Sequence, residues 1–307
     1  VKHATLRQLK IFESVARLLS YSRAAEELHL SQPAVSTQVR KLESHAGNLL
    51  FEQFGKKIYL TAAGSQLLQI SRGIIAQFEE AEQAMTHYRG VSGGKLNVGV
   101  ISAGDYFFPR LLVEFAGRHA GVSLNFTIHN REGLLTHIAD NLTDLAVMVR
   151  PPTDLDTEAI AFAPHPYVIV AAATHPLAER RRIRFEELKR EPFVAREKGS
   201  DTRNSMAEAF GEQMDDIHIA MEIRSTETIK QAVIAGMGLA FLSAHTISQE
   251  VATGSLKVLK VQGFPLMLNW FVVHRKNKRL APVAQAFKEF LLADGAELIE
   301  RFVPYRQ

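Results

Sequence analysis

At 307 residues the chain exceeds what one ordinary hydrophobic core supports, so two or three domains are expected. Its 46% hydrophobic content and lack of any long apolar run suit a soluble globular protein and argue against a membrane span. A complete absence of cysteine excludes disulfides, thiolate metal sites and cysteine nucleophiles, and it suits a reducing cytoplasm.

The net charge of +3 is unevenly placed: residues 1–60 hold nine Lys/Arg against five Glu, which suggests a polyanion-binding module at the front. The opening VKHATLRQLK has no apolar export core, so a cytoplasmic location is expected. Leu6, Leu9, Phe12, Val15, Ala16 and Leu19 recur at the spacing of an amphipathic helix. Ser22 reads as the cap of a second helix, with Ala24, Ala25 and Leu28 inward. Ser31 is a natural N-cap for a third, Gln32 to His45, with Pro33 in the first turn, where a missing N–H costs little. Val35, Val39 and Leu42 form its apolar stripe and leave Ser36, Thr37, Gln38 and Arg40 outside. After Gly47, LLFEQFGKKIYLTAAG reads as a strand, a basic turn at Gly55–Lys57 and a second strand. Residues 1–60 therefore read as a winged helix-turn-helix.

From Thr61 a single long helix is predicted to run to about Arg89, giving a linker element over 61–90. Leu67, Ile70, Ile74, Phe78, Ala81, Met85 and Tyr88 follow one another at 3, 4, 4, 3, 4 and 3, close to a heptad seam. Self-association through this stripe is expected, with packing on its own domain as the alternative. RGVSGGKL supplies a Gly/Ser hinge, placed at 91–94.

Beyond the hinge, strand and helix patterns alternate through KLNVGVIS, YFFPRLLVEFAGRH, VSLNFTIH, REGLLTHIADN and LAVMVR. PYVIVAAATHP opens a second such series, and LNWFVVH with the helix APVAQAFKEFLL reads as a return to the first. This rhythm predicts parallel strands covered by helices. We expect two lobes over 95–307, the first from 95–162 with 266–307 and the second from 163–265. Paired α/β lobes bind small ligands in the cleft between them.

The ordered set LRQLKIF, SRAAEELHLSQPAVSTQVRKLE, LFEQ, LTAAG and ETIKQAVIAGMGLAFLS resembles the LysR-type transcriptional regulators over essentially the whole chain. NRE (130–132), RPP (150–152), REKGSDTR (196–203) and ETIKQAV (227–233) look more narrowly like the CbbR group, regulators of Calvin-cycle carbon-fixation operons. The resemblance implies an α+β protein: a winged helix-turn-helix, a long dimerisation helix and a two-lobed α/β effector domain like a periplasmic binding protein. It also implies a dimer or tetramer on operator DNA, a possible contact with RNA polymerase, and ligand closure of the lobes that changes the spacing of the DNA-binding heads. Effectors in the CbbR group include ribulose bisphosphate, phosphoenolpyruvate, NADPH and ATP, and the residues do not choose among them.

A helix entering the major groove needs short polar side chains so that its backbone can approach the bases. Ser31 caps this helix, and Gln32, Pro33, Ser36 and Thr37 are placed near base edges and the adjacent phosphates. Ser36 reads a base or bonds phosphate alone, and the spacing leaves both open. Gln38 and Arg40 are assigned to the DNA backbone, Arg40 with a solvated or salt-bridged surface role as the alternative. Lys56 and Lys57 are set along phosphates at the wing. Where the family usually carries arginine in its LFER motif, this chain has Gln53, which puts an arginine contact from the wing in doubt.

Strand ends that meet helix N-termini attract anions. VISAGDY offers Ser102 and the backbone of Ala103; HNRE offers Asn130 and Arg131; KGSDTRNS offers Ser200, Thr202 and Arg203. Family hydroxyls at such positions bind effector, which carries over to Ser102 and Thr202; Ala103 lacks the hydroxyl many relatives have. Arg131, Arg150, Arg196 and Arg203 would together favour an anionic or phosphorylated metabolite. The alternative for each is a surface ion pair with Glu132, Glu197 or Asp201. Thr226 and Glu227 cap the helix that follows them or line the cleft.

An enzyme is disfavoured: His165 and His175 sit in His-Pro pairs that read as turns, and no nucleophile elbow is present. GMGLAF lacks the third glycine of a dinucleotide fingerprint, and no His/Asp/Glu spacing suits a metal. No cofactor is expected. A solute-binding protein would share the two lobes, but it would lack the basic N-terminal module.

Overall fold

The structure, a computed structural model, is described for residues 4–55, 57–87 and 94–303. Lys56, Tyr88 and hinge residues 91–93 lie outside the described residues, as does the side chain of Met85. Two compact units are present, one built on Val1–Gly90 and the other on Val91–Ala139 with Thr143–Gln307.

In the first unit, α1 (Leu6–Leu18) starts at a reciprocal cap. The Thr5 Oγ1 accepts from the Gln8 N–H at 3.2 Å, and the Gln8 Oε1 accepts from the Thr5 N–H at 3.0 Å. Leu19 then takes a left-handed conformation, φ 47°, and ends the helix. That early stop corrects the cap of α2 (Tyr21–Glu27): Ser20, left extended by the turn, accepts from the Arg23 N–H at 3.3 Å, and Ser22 lies inside the helix. α3 (Gln32–Ala46) begins at Ser31 and ends at Gly47, whose φ of 71° suits glycine. Val35, Val39 and Leu42 pack with Phe12 and Val15 in one small core. Each such buried side chain contributes roughly 1.5–3 kcal/mol.

β1 (Phe51–Phe54) and β2 (Lys57–Leu60) form the antiparallel wing, so Lys57 starts a strand and is not a turn residue. The Glu43 carboxylate of α3 accepts from the Leu50 and Phe51 N–H groups, at 2.9 and 3.3 Å, and anchors the wing to the reading helix. α4 (Ala62–His87) leaves β2 through a Thr61 cap, with the Thr61 Oγ1 accepting from the Gly64 N–H at 3.0 Å. A Cβ on Gly64 would overlap the Leu50 carbonyl oxygen, so this crossing needs glycine. Leu67 is buried in the core of this unit, which departs from the expected seam. Ile70, Ile74, Phe78 and Ala81 are exposed on the same helix.

The second unit runs β3 (Gly94–Ile101), α5 (Phe108–Arg118), β4 (Val122–His129), α6 (Arg131–Ala139), β5 (Leu145–Met148) and β6 (Thr157–Ala172). It continues with α7 (Phe185–Leu188), β7 (Phe193–Arg196), α8 (Asp201–Phe210), β8 (Ile219–Ile223), α9 (Thr226–Ile234) and β9 (Ala240–Ser243). α10 (Ser248–Ala252), β10 (Leu256–Val258), β11 (Leu266–Arg275) and α11 (Pro282–Phe302) complete it. The main sheet has the order β10-β6-β11-β5-β3-β4, with β9 also on β6, and β7 pairs with β8.

The expected parallel sheet is instead mixed. β3 is parallel to β4 and β5, whereas β11 is antiparallel to β5 and β6, and β6 is antiparallel to β9 and β10. The reason lies in β6: over its 16 residues it pairs first with β11 and then with β9 and β10, so one strand carries three antiparallel partners. The register with β11 shifts at Trp270/Phe271, where the sheet bends. Packed there are the fully buried Trp270 and His165, and the Trp270 Nε1–H donates to the His245 Nδ1 at 3.2 Å. His165 is thus a buried strand residue and not a turn residue. A Cβ on Gly238, φ 137°, would overlap the Pro192 carbonyl oxygen, which is how closely β9 approaches β7. No helix among the described residues is long and apolar enough to cross a membrane.

Candidate functional site

On α3 the caps and the apolar stripe orient the polar row. Ser31, Gln32, Pro33, Thr37, Arg40 and Lys41 are exposed, and Ser36 is partly exposed. The Ser31 Oγ is occupied as the cap, accepting from the Ala34 N–H at 3.4 Å. Gln38 is held from α1, where the Gln8 Nε2 donates to its Oε1 at 3.2 Å. Arg40 makes no ion pair among the described residues, which leaves its charge available to a polyanion. Gln53 is exposed on the wing, but its Nε2 donates to the Gly55 carbonyl at 2.8 Å and closes the turn. Lys57 is exposed beside it. Glu43 was not singled out by sequence reasoning, because its role depends on β1 folding back onto α3.

In the second unit, nine residues converge on one small recess: Ile101 ending β3 with Ser102 and Ala103 just after it, Asn130 and Arg131 at α6, Arg196 ending β7, and Ser200, Asp201 and Thr202 at α8. Each of the three predicted strand-to-helix junctions contributes. Its free space is about 10 Å³, room for about one water. Arg196 is buried, and all three nitrogens of its guanidinium donate hydrogen bonds. Nη1 donates to the Ser102 Oγ at 3.2 Å and to the Thr226 Oγ1 at 3.1 Å, while Nε and Nη2 form a fork with Glu197 at 2.8 and 3.0 Å. Arg131 Nη1 donates to the Asp201 Oδ1 at 3.1 Å and to the Arg150 carbonyl oxygen.

Ser200 caps α8: its Oγ accepts from the Arg203 N–H at 3.2 Å and donates to the Glu197 carbonyl at 2.8 Å. The positive end of that helix dipole adds to the arginines. Asn130 Oδ1 accepts from the Gly133 N–H at 2.9 Å and so begins α6. Burial raises the pKa of Asp201 above the usual carboxylate range, against the opposing pull of Arg131 and then Arg150. Sequence reasoning treated Asp201 only as a neighbour for arginine, because nothing in KGSDTR shows that its side chain turns inward.

Other predicted residues stand outside this lining. Arg150 turns to α8, where its Nε donates to the Ser205 Oγ at 3.1 Å and it pairs with Glu208. Arg203 lies 3.8 Å from the Met206 sulfur. Thr226 reaches the recess through Arg196, and α9 is capped by Ser225, whose Oγ accepts from the Thr228 N–H at 3.3 Å. Glu227 belongs to a separate cavity of about 240 Å³, lined also by Tyr106, Arg110, Lys230 and Glu250.

Although larger, that cavity suits an anion poorly. Its buried Lys230 is already saturated by Glu227 at 2.6 Å, Glu250 at 2.8 Å and the Thr246 carbonyl at 3.0 Å. Burial opposes the charge on Glu227, but Lys230 and the Tyr106 hydroxyl, donating at 2.6 Å, hold its pKa below the usual range. Burial and Glu227 together raise that of Tyr106.

A family model for the LysR substrate binding domain matches residues 89–296, and one for bacterial regulatory helix-turn-helix proteins of the lysR family matches residues 6–65. The RuBisCO operon transcriptional regulator of Allochromatium vinosum is 46% identical over 296 residues, 96% of this chain and 98% of that protein. The HTH-type transcriptional regulator CbbR of Rhodospirillum rubrum is 46% identical over 295 residues, 95% of this chain and 98% of its own length. The solved regulatory domain of Synechocystis PCC6803 CcmR, in complex with 2-PG, is 35% identical with a TM-score of 0.63 and covers 66% of this chain and 96% of that one. With a reading helix in one unit, a ligand-binding fold in the other and relatives alike from end to end, the chain belongs to the LysR family of DNA-binding transcriptional regulators, which are not enzymes.

Proposed function

We propose that this regulator acts in the cytoplasm on carbon-fixation genes and that its effector is a small phosphorylated anion bound in the recess between Ser102, Arg131, Arg196 and Thr202. The observation that carries the effector reading is the convergence of two arginines on the N-terminus of α8. Guanidinium forks and helix N-termini both favour phosphoryl oxygens over neutral groups. The 35%-identical CcmR domain in complex with 2-PG supports the same ligand chemistry, and the RuBisCO operon regulator of Allochromatium supports the choice of target genes.

In this reading α3 enters the major groove with Gln32, Pro33, Ser36 and Thr37 near base edges, and Arg40 and the wing lysines follow phosphates. The exposed Ile70, Ile74, Phe78 and Ala81 join two chains, and two such dimers make the tetramer. The domain limits follow the same division: a DNA-binding module over 1–60, a dimerisation helix over 61–90 and an effector domain from 95. The test is a gel shift on the region upstream of a RuBisCO operon, paired with thermal-shift screening of phosphorylated metabolites. Retarded operator and a ligand that raises the melting temperature are expected. No retardation at low salt would remove the DNA assignment, and no stabilisation by any phosphorylated compound would remove the effector assignment.

A further inference from the structure

The recess proposed for the effector is already occupied by the protein's own charges. Arg131 commits its Nη1 to Asp201 and to the Arg150 carbonyl, and little more than one water's space is left. Asp201 is itself unusual. It is 5% exposed, lies in the first turn of α8, and keeps Oδ2 buried without a hydrogen-bond partner among the described residues. A carboxylate half satisfied in this way is costly, because the buried oxygen has lost its water. A negative charge in a recess otherwise built for anions would also repel the ligand that the arginines attract.

We propose that Asp201 is a resident counter-ion: it holds Arg131 in the empty protein and yields it to the incoming anion, taking a proton from solvent as it does so. The inference rests on the effector reading given above. Two consequences follow from charge alone. Ligand binding is coupled to proton uptake, so affinity rises as pH falls. The exchange also selects ligand charge. A monocarboxylate that displaces Asp201 replaces one negative charge with another and gains nothing at Arg131. A phosphoryl group brings up to two charges and three acceptor oxygens and wins the exchange.

The groups facing Asp201 are consistent with that role. Burial disfavours its charged form, while Arg131 from α6, Arg150 after β5 and the Val149 backbone N–H favour it. Tyr167 of β6, whose own hydroxyl is kept protonated by burial and by the charge on Asp201, adds no cation. Arg196 lines the same recess but is neutralised by Glu197. Once the ligand takes Arg131, the main support for the Asp201 charge is gone and protonation follows.

The experiment is titration calorimetry of the full chain with 2-phosphoglycolate and with glycolate, for wild type, Asp201→Asn and Arg196→Gln. Comparing variants cancels the ionisation of the ligand's own phosphate. Asp201→Asn is expected to bind 2-phosphoglycolate about ten-fold more tightly than wild type in alkaline buffer, with the advantage shrinking as pH falls. It is also expected to narrow the discrimination against glycolate. Wild type should take up more protons per ligand bound than the variant, measured in two buffers of different ionisation heat. If the variant does not fold, proton uptake by wild type beyond that of the phosphate carries the test. Weaker binding by Asp201→Asn at every pH, or equal proton uptake, overturns the inference. Should Arg196→Gln lose binding while Asp201→Asn behaves as wild type, the recess stands and only the counter-ion role falls. If wild type binds neither probe, or Arg196→Gln binds normally, the effector reading falls and takes this inference with it.

Discussion

The Arg196 Nη1 donates to the Ser102 Oγ across 3.2 Å, so a guanidinium at the end of β7 is tied to a hydroxyl at the end of β3. The same nitrogen reaches the Thr226 Oγ1 at 3.1 Å, and one buried cation thereby joins three segments distant in sequence. Its charge is balanced by the fork to Glu197. Removing one partner of such a pair leaves the other charge buried and uncompensated. Arg196→Gln is therefore expected to destabilise the effector unit by about 3 kcal/mol, and Ser102→Ala, which removes a single bond to a charged donor, by about 1.5 kcal/mol. Chemical denaturation followed by fluorescence measures both; a smaller loss for Arg196→Gln than for Ser102→Ala would contradict the buried-pair account.

In the proposed reading the wing lysines act through phosphate neutralisation. Replacing Lys56 and Lys57 together by alanine is expected to flatten the salt dependence of operator binding by up to about 2 units of slope. Ser36→Arg thickens the outer face of α3 and is expected to weaken specific binding more than non-specific binding. Gel-shift titrations across salt concentrations separate the two effects, and unchanged slopes for the lysine pair would take the wing out of the interface.

Helix α4 changes its role along its length. Leu67 belongs to the core of the first unit, so Leu67→Ala is expected to cost that unit about 2–5 kcal/mol. Phe78, 51% exposed, packs into no core cluster among the described residues; Phe78→Glu is expected to split the oligomer without lowering the unit's stability. Sedimentation velocity with thermal melts tests the division. A Phe78→Glu chain that stays assembled would return this stripe to ordinary surface.

Buried histidines give the effector unit an acid limit. Burial lowers the pKa of His245 to about 4 and that of His165 well below its usual value. Both are neutral when folded and gain protons on unfolding, so their contribution is intact above about pH 6.5 and is lost as pH falls towards the folded value. For His245 the loss amounts to roughly 3 kcal/mol across that window. Trp270 is the single tryptophan and bonds His245 directly, so its fluorescence reports the transition. His245→Asn, which cannot titrate, is expected to lower the pH of acid unfolding; an unmoved midpoint would exclude His245 as a source of the acid sensitivity.

The parts legible in the sequence are those set by neighbours along the chain. Ser31, Pro33 and Gly47 bound α3 through local capping and dihedral preference, and Val35, Val39 and Leu42 orient it by helical spacing alone. The same locality made Ser22 look like a cap, because the left-handed turn at Leu19 that passes the role to Ser20 leaves no mark in composition.

Long-range pairing decided the rest. A strand pattern in β6 says nothing about direction, and only its antiparallel pairing with β11, β9 and β10 made the sheet mixed and buried His165. Four arginines near strand ends looked equivalent as sequence. Loop closure brought Arg131 and Arg196 into the recess and sent Arg150 and Arg203 onto α8. Sequence by itself determined the capped third helix, the wing, the long helix and the strand-to-helix junctions, since each is a local or periodic property. Tertiary structure alone decided which charges meet and which face each other across the recess, because a buried ion pair such as Arg131–Asp201 joins residues whose separation along the chain carries no information about their separation in space.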